Sequence, residues 1–136
     1  MIKITDKPIE IEEATKAATA LGSGAINVFV GTVRNESKGK TVRWLEYEAF
    51  ESMAVSEIKK ITQQASEKWK IEGYAVIHRV GTLHPGETAV VIAVSTPHRK
   101  ESFEACQFII DTIKERVPIF KKEVFENGEE WVSATP

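Results

Sequence analysis

Two stretches of about twenty residues with a helical apolar period constrain this chain more than anything else in it. Residues 51–70 carry Ala54, Ile58, Ile61, Ala65 and Trp69 at helical spacing, and residues 97–117 carry a second stripe of Phe103, Cys106, Ile110, Ile113 and Val117. Each reads as an amphipathic helix that must bury its stripe against another layer. Pro118 ends the second. Between them lie two runs rich in Val and Ile, residues 74–81 and 88–95, joined by Leu83-His84-Pro85-Gly86-Glu87. Their β-branched content and the Pro-Gly turn predict a hairpin. The remaining segments are shorter. A strand is expected over Ile2–Thr5, a helix over 10–21 closed by Gly22, and a buried strand over 25–34. Residues 35–40 read as a polar loop, and 41–50 as a strand with apolar groups on both parities, packed in part on both faces. The tail predicts two short strands around Asn127-Gly128. Strands and helices mix without regular βαβ alternation, which selects the α+β class and a single domain over residues 1–136.

Composition excludes several functions. The chain has 18 basic and 20 acidic residues and a net charge of −2, not the basic excess of a protein that lives on nucleic-acid phosphates. The lone Cys106 forms no intramolecular disulfide and no cysteine metal cluster. His78, His84 and His98 make no pair at helical metal-ligand spacing. The first residues lack the apolar run of a signal peptide, and no stretch approaches membrane-spanning length, so a soluble cytoplasmic protein is expected.

Three places carry chemistry. At Ser95-Thr96-Pro97-His98-Arg99-Lys100, Thr96 suits an N-cap and Pro97 the first helical position, which puts three basic side chains in the first turn of a helix. Cations there have the wrong sign for the helix dipole, and a bound anion would reverse the balance; the alternative is a solvated, screened turn. Lys114, Arg116, Lys121 and Lys122 cluster around Pro118. Lys114 lies at the edge of the apolar stripe, and Lys121 and Lys122 alternate on a strand, so at most one of them joins it. Two neighbouring ammonium groups depress one pKa and make a proton-transfer group near neutrality; otherwise the cluster is an ordinary charged face balanced by Glu115 and Glu123. Arg34 ends the apolar strand beside Gly31, where ligand-binding loops commonly begin, and is otherwise a surface arginine.

The blocks Phe29-Val30-Gly31-Thr32-Val33-Arg34-Asn35, Leu45-Glu46-Tyr47-Glu48-Ala49, His78-Arg79-Val80-Gly81 with Pro85-Gly86-Glu87, His98-Arg99, and Lys114 followed by Pro118-Ile119-Phe120-Lys121-Lys122-Glu123 and Gly128 to Trp131 stand in one order and spacing. In that order the chain resembles the large, catalytic subunit of molybdopterin synthase over nearly its whole length. Phe120 stands where relatives often carry Trp, and the chain stops five residues after Trp131, short of the longer tail some relatives place at the subunit interface.

The resemblance implies an α/β-hammerhead type of α+β fold, with a mixed or antiparallel sheet, two long amphipathic helices and a small additional antiparallel sheet. It implies a homodimer that becomes a heterotetramer with a small ubiquitin-like sulfur-carrier subunit at each end. It also implies a sulfurtransferase of molybdenum cofactor biosynthesis: the carrier's C-terminal Gly-Gly thiocarboxylate gives sulfur to cyclic pyranopterin monophosphate and builds the dithiolene of molybdopterin. No metal or other cofactor is implied. By match, Lys114 and Lys121 are catalytic, and Thr32, Val33, Arg34, His98, Arg99, Lys122 and Glu123 bind substrate. Two other readings remain: a non-catalytic module binding a phosphorylated metabolite, and an oligomeric scaffold for a carrier protein.

Overall fold

The structure, a computed structural model, describes the backbone of residues 1–133 and the side chains of residues 1–128. In chain order the elements are β1 (Ile2–Thr5), α1 (Ile11–Ala18), β2 (Ala25–Thr32), β3 (Glu36–Ser37), β4 (Lys40–Ala49), α2 (Glu51–Lys68), β5 (Gly73–Arg79), β6 (Gly81–Leu83), β7 (Thr88–Thr96), α3 (Arg99–Arg116), β8 (Ile119–Phe125) and β9 (Gly128–Ser133). The α+β expectation holds.

One sheet runs β1-β5-β7-β2, with β1 parallel to β5 and the other pairs antiparallel. Strand β7 is central and buried along nearly its whole length, which is why its sequence is a continuous apolar run rather than an alternation. Helices α2 and α3 pack together and cover one face, where Ile58, Ile61, Ile109 and Ile113 meet Val76, Ile92 and Val94. Helix α1 covers the other, closing a smaller core of Ala14, Ala18, Ala75, Ile77, Val91 and Ala93. The small residues let α1 lie close to the sheet: Gly73 has no room for a Cβ, which would overlap the Ala18 carbonyl.

The second sheet runs β3-β4-β8-β9, with β6 paired to β4. Strand β6 lies within the connection from β5 to β7, so the predicted hairpin forms with its connection stitched into the other sheet. A bulge between Val42 and Trp44 brings Val42 onto the face that Leu45 and Tyr47 bury. Apolar groups on both parities of β4 therefore reflect a register shift more than two packed faces.

Four local expectations are corrected. The loop at residues 35–40 is a hairpin: Lys38 and Gly39 both take positive φ (54° and 75°), the geometry of a tight turn between β3 and β4. Helix α1 ends at Ala18, before Gly22, because the Ala18 carbonyl leaves the helical ladder to accept the Ser95 hydroxyl at 2.5 Å. Helix α3 starts at Arg99 with an extended His98 as its N-cap; Thr96 is the last residue of β7, and its hydroxyl donates to the His98 carbonyl at 2.5 Å. The stripe of α3 is centred on Ser102, Ala105, Cys106, Ile109, Ile110 and Ile113, leaving Phe103 exposed. Among the described residues no helix is long and apolar enough to cross a membrane.

Candidate active site

A cavity of about 190 Å³ opens where the two sheets and the end of α3 meet. Each wall brings one kind of group. Strands β2, β7 and β4 give it Phe29, Val90, Val42 and Leu45; the last turn of α3 gives Lys114; β8 gives Lys121 and Glu123; the segment after β2 gives Arg34.

Lys114 follows fully buried Ile113 at the end of the apolar stripe, and though itself exposed it lines the cavity. Strand alternation carries Lys121 and Glu123 to one face and Lys122 to the other. Lys121 stands opposite Tyr47 and Glu123 opposite Leu45 on β4, all four lining the cavity. Lys122 stands opposite Glu46, its Nζ 3.7 Å from Oε2, and the same oxygen accepts the Trp44 indole N–H at 3.1 Å. Of the two lysines of the pair, Lys121 is thus the one that joins Lys114.

At the end of β2 a bulge between Gly31 and Thr32 turns the chain. Val33 is buried, its N–H donating to the Glu87 carbonyl at 3.0 Å and its carbonyl accepting from Gly86 at 2.8 Å. Pinning Val33 to the turn before β7 fixes Arg34 at the cavity, where Thr32 also contributes. Gly31 can line the wall because a Cβ there would run into the Val90 side chain.

The cavity is electropositive with one buried acid. Burial holds the Lys121 amine below the usual lysine range; Lys114, Arg34 and Lys38 press it the same way and Glu123 opposes. Burial, with the Glu123 carboxylate second, pushes the Tyr47 phenol up to about 12. Burial pulls His78 down to about 4, opposed by its ring contact with the Arg79 carbonyl. His78 Nδ1 lies 2.8 Å from that carbonyl, so at neutral pH Nδ1 carries the proton and Nε2 is the acceptor. The Tyr47 ring meets the imidazole edge-on at 5.1 Å. Glu123 is 3% exposed, and among the described residues its Oε2 has no hydrogen-bond partner. Among the described residues no group of three or more His, Cys, Asp or Glu could hold a metal ion.

The structure therefore gathers Thr32, Arg34, Lys114, Lys121 and Glu123 in one cavity. It does not bring His98 and Arg99 there. They precede and open α3, and Arg99 and Lys114 lie about 22 Å apart along its axis. The β2–β7 register agrees: Ala25 pairs Thr96 beside His98, whereas Thr32, next to Arg34's loop, pairs Thr88 at the far end. Arg34 and the pair His98 and Arg99, all matched as substrate-binding, lie apart within one chain because a long helix and a full strand separate them. Tyr47 and His78 are cavity residues that sequence reasoning did not single out. A histidine in an otherwise apolar strand was the available signal for the second. The side chain of Trp131 lies outside the described residues.

The MoaE protein family model matches residues 4–116. The molybdopterin synthase catalytic subunit of Bacillus subtilis is 48% identical over 130 residues, covering 96% of this chain and 83% of that protein. The human protein of the same name is 41% identical and covers 96% of this chain, which spans 70% of it. The crystal structure of molybdopterin synthase from Staphylococcus aureus superposes with a TM-score of 0.91 at 40% identity, covering 96% of this chain and 95% of that one. With the fold and the sequence in agreement, the chain belongs to the MoaE protein family, the family of these molybdopterin synthase catalytic subunits.

Proposed function

We propose that this chain, acting as one domain in the cytoplasm, is the catalytic subunit of a molybdopterin synthase. It moves sulfur from the thiocarboxylated C-terminus of a small carrier subunit to cyclic pyranopterin monophosphate. The observation that carries this reading is the convergence of Lys114 and Lys121, from different elements, on one cavity with Arg34 at its wall. A module that only binds phosphate needs Arg34 but not a second, desolvated lysine facing the first.

The chemistry follows from the charges. The thiocarboxylate is an anion, and the paired ammonium groups attract it and orient its sulfur toward the pterin. Each new carbon–sulfur bond replaces a carbon–oxygen bond of the pyranopterin, whose oxygen leaves on the opened phosphate ester or as water, and water then cleaves the carrier's acyl–sulfur bond. These steps build negative charge on oxygen, which a fixed ammonium stabilises. The water oxygen stays on the carrier as a carboxylate, and sulfur stays on the pterin. A lysine held below its usual range, as Lys121 is, also gives and recovers protons more readily near neutrality.

His98 and Arg99 enter through a second copy of the chain. Strand β2 is an edge strand of its sheet, and Ile26 on it and Phe103, one turn after Arg99, are exposed apolar side chains at that end. A homodimer that covers them can set His98 and Arg99 of one protomer beside Lys114 of the other, where they would hold the substrate phosphate.

The test is reconstitution with thiocarboxylated carrier and pyranopterin substrate, scoring dithiolene. Wild type forms product. Lys114→Ala and Lys121→Ala each lose at least about a hundredfold in rate while keeping fold and oligomeric state. Near-normal turnover in both variants would end the proposal.

A further inference from the structure

We propose that Glu87 is a positioning residue for Arg34, holding it at the cavity by fixing the turn that grips Val33. This rests on the function proposed above and adds what keeps one of its cations in place. Arg34 is exposed, and no hydrogen bond or ion pair to a described residue holds its guanidinium. Its place at the wall is therefore set by its backbone. Past the bulge at Gly31 and Thr32 the β2 ladder ends, and two backbone anchors flank Arg34. On one side Val33 donates its N–H to the Glu87 carbonyl at 3.0 Å and accepts from the Gly86 N–H at 2.8 Å. On the other the Asn35 carbonyl accepts the Val42 N–H at 2.9 Å.

The first anchor is only as steady as the turn that supplies it. Pro85 and Gly86, the glycine at a φ of 91°, suit a tight turn, and the Glu87 N–H closes it onto the His84 carbonyl at 3.0 Å. That turn chemistry closes the loop without fixing how it sits against β5. The Glu87 carboxylate supplies the tie. Its Oε1 accepts the His84 N–H and its Oε2 accepts from Arg79 Nη1, each at 2.8 Å, so the turn is fastened to the end of β5. The Arg79 side chain is 13% exposed, which shields this pair from water more than an open surface pair.

Glu87 does not line the cavity, so it acts through Val33 and Arg34 and not on the substrate. An arginine fork meets two oxygens of a phosphate or thiocarboxylate-sized anion at a fixed angle. A backbone shift of about 1 Å at Arg34 is enough to weaken such a contact steeply.

The experiment compares full-length wild type, Glu87→Gln, Arg34→Ala and the double variant. The Gln side chain keeps the shape but offers one acceptor where the carboxylate answers two donors. Amide hydrogen exchange is read first. In Glu87→Gln the Val33 N–H should exchange about tenfold faster or more, while buried amides of β7 such as Val91 keep their rates. Reconstituted turnover is read second. Glu87→Gln should raise KM for the pterin substrate about tenfold, more than it lowers kcat, and Arg34→Ala about tenfold to a hundredfold. The double variant should match Arg34→Ala, because an arginine that is absent cannot be misplaced. If Val33 exchange is unchanged, or rises only in step with Val91, the inference is wrong. It is also wrong if Glu87→Gln costs the same factor with and without Arg34, since Glu87 would then act elsewhere. Should Glu87→Gln fail to fold, Arg79→Met removes the other half of the tie and is read the same way. A wild type that forms no dithiolene would sink the proposed function separately, and the exchange rates would still decide whether Glu87 holds the Arg34 segment.

Discussion

His78 shows how the cavity's architecture is charged against stability at a single residue. Its ring is buried between the two sheets and held neutral, with a pKa near 4 in place of 6.5. The unfolded chain therefore binds a proton between pH 6.5 and 4 that the folded chain refuses, so stability rises with pH through that window and falls as the solution is acidified. Between pH 6.5 and 5 the loss from this residue should be about 1.5 kcal/mol. Glu87 acts in a lower window. The His84 backbone N–H first, and then Arg79, hold its carboxyl down to about 2, so its stabilising effect is lost only as pH falls from 4.5 toward 2. Urea unfolding at pH 6.5 and pH 5 isolates the histidine. The difference should be present in wild type and absent in His78→Gln; an equal difference in both would place the acid sensitivity elsewhere. The sequence showed a histidine in an apolar strand but not the Tyr47 edge, which arrives by packing of the second sheet, nor the ring orientation that brings Nδ1 to the neighbouring Arg79 carbonyl.

Elements were legible where one periodicity governed them and less so where tertiary contacts set their ends. Helix α2 and the buried run of β7 follow directly from spacing and β-branched content. The bulge in β4 was not legible: it moves Val42 onto the Leu45 and Tyr47 face, and a strict period of two cannot contain it. The stop of α1 was missed for a related reason. Gly22 looked like the terminator, but the helix ends where Ala18 meets Gly73 and Ser95, residues more than fifty positions later. That contact makes a prediction about the element. Gly73→Ala forces a methyl into the Ala18 carbonyl, whereas Gly22→Ala meets only the Glu72 carboxyl at ordinary contact distance. Denaturant unfolding should show Gly73→Ala less stable by about 1–3 kcal/mol and Gly22→Ala nearly unchanged. A tolerated Gly73→Ala would mean that α1 does not need its close seat on the sheet.

At the scale of the molecule, the parts of the site that could be matched from sequence divide by geometry into two groups. Lys114, Lys121, Arg34, Thr32 and Glu123 meet in one cavity because α3 ends where β8 begins and β2 ends beside both. His98 and Arg99 lie at the other end of α3, a separation that the helix expected over residues 97–117 already implied. A straight helix does not fold back, so only a second copy can reunite the groups, and this makes a sharp prediction. Arg99→Ala and Lys114→Ala should each be inactive alone. In a mixed dimer, the lysine of the Arg99→Ala protomer faces the intact Arg99 of the Lys114→Ala protomer, and one site of the two is whole. Random reassortment makes about half the dimers mixed, so about a quarter of the sites should recover activity when the two variants are unfolded and refolded together. If each site lay within one chain, no pairing would restore any. If Arg99 took no part, the Arg99→Ala variant would be active before mixing. Dithiolene formation by the separate and co-refolded variants distinguishes all three, and only partial recovery on co-refolding fits a site built across two protomers.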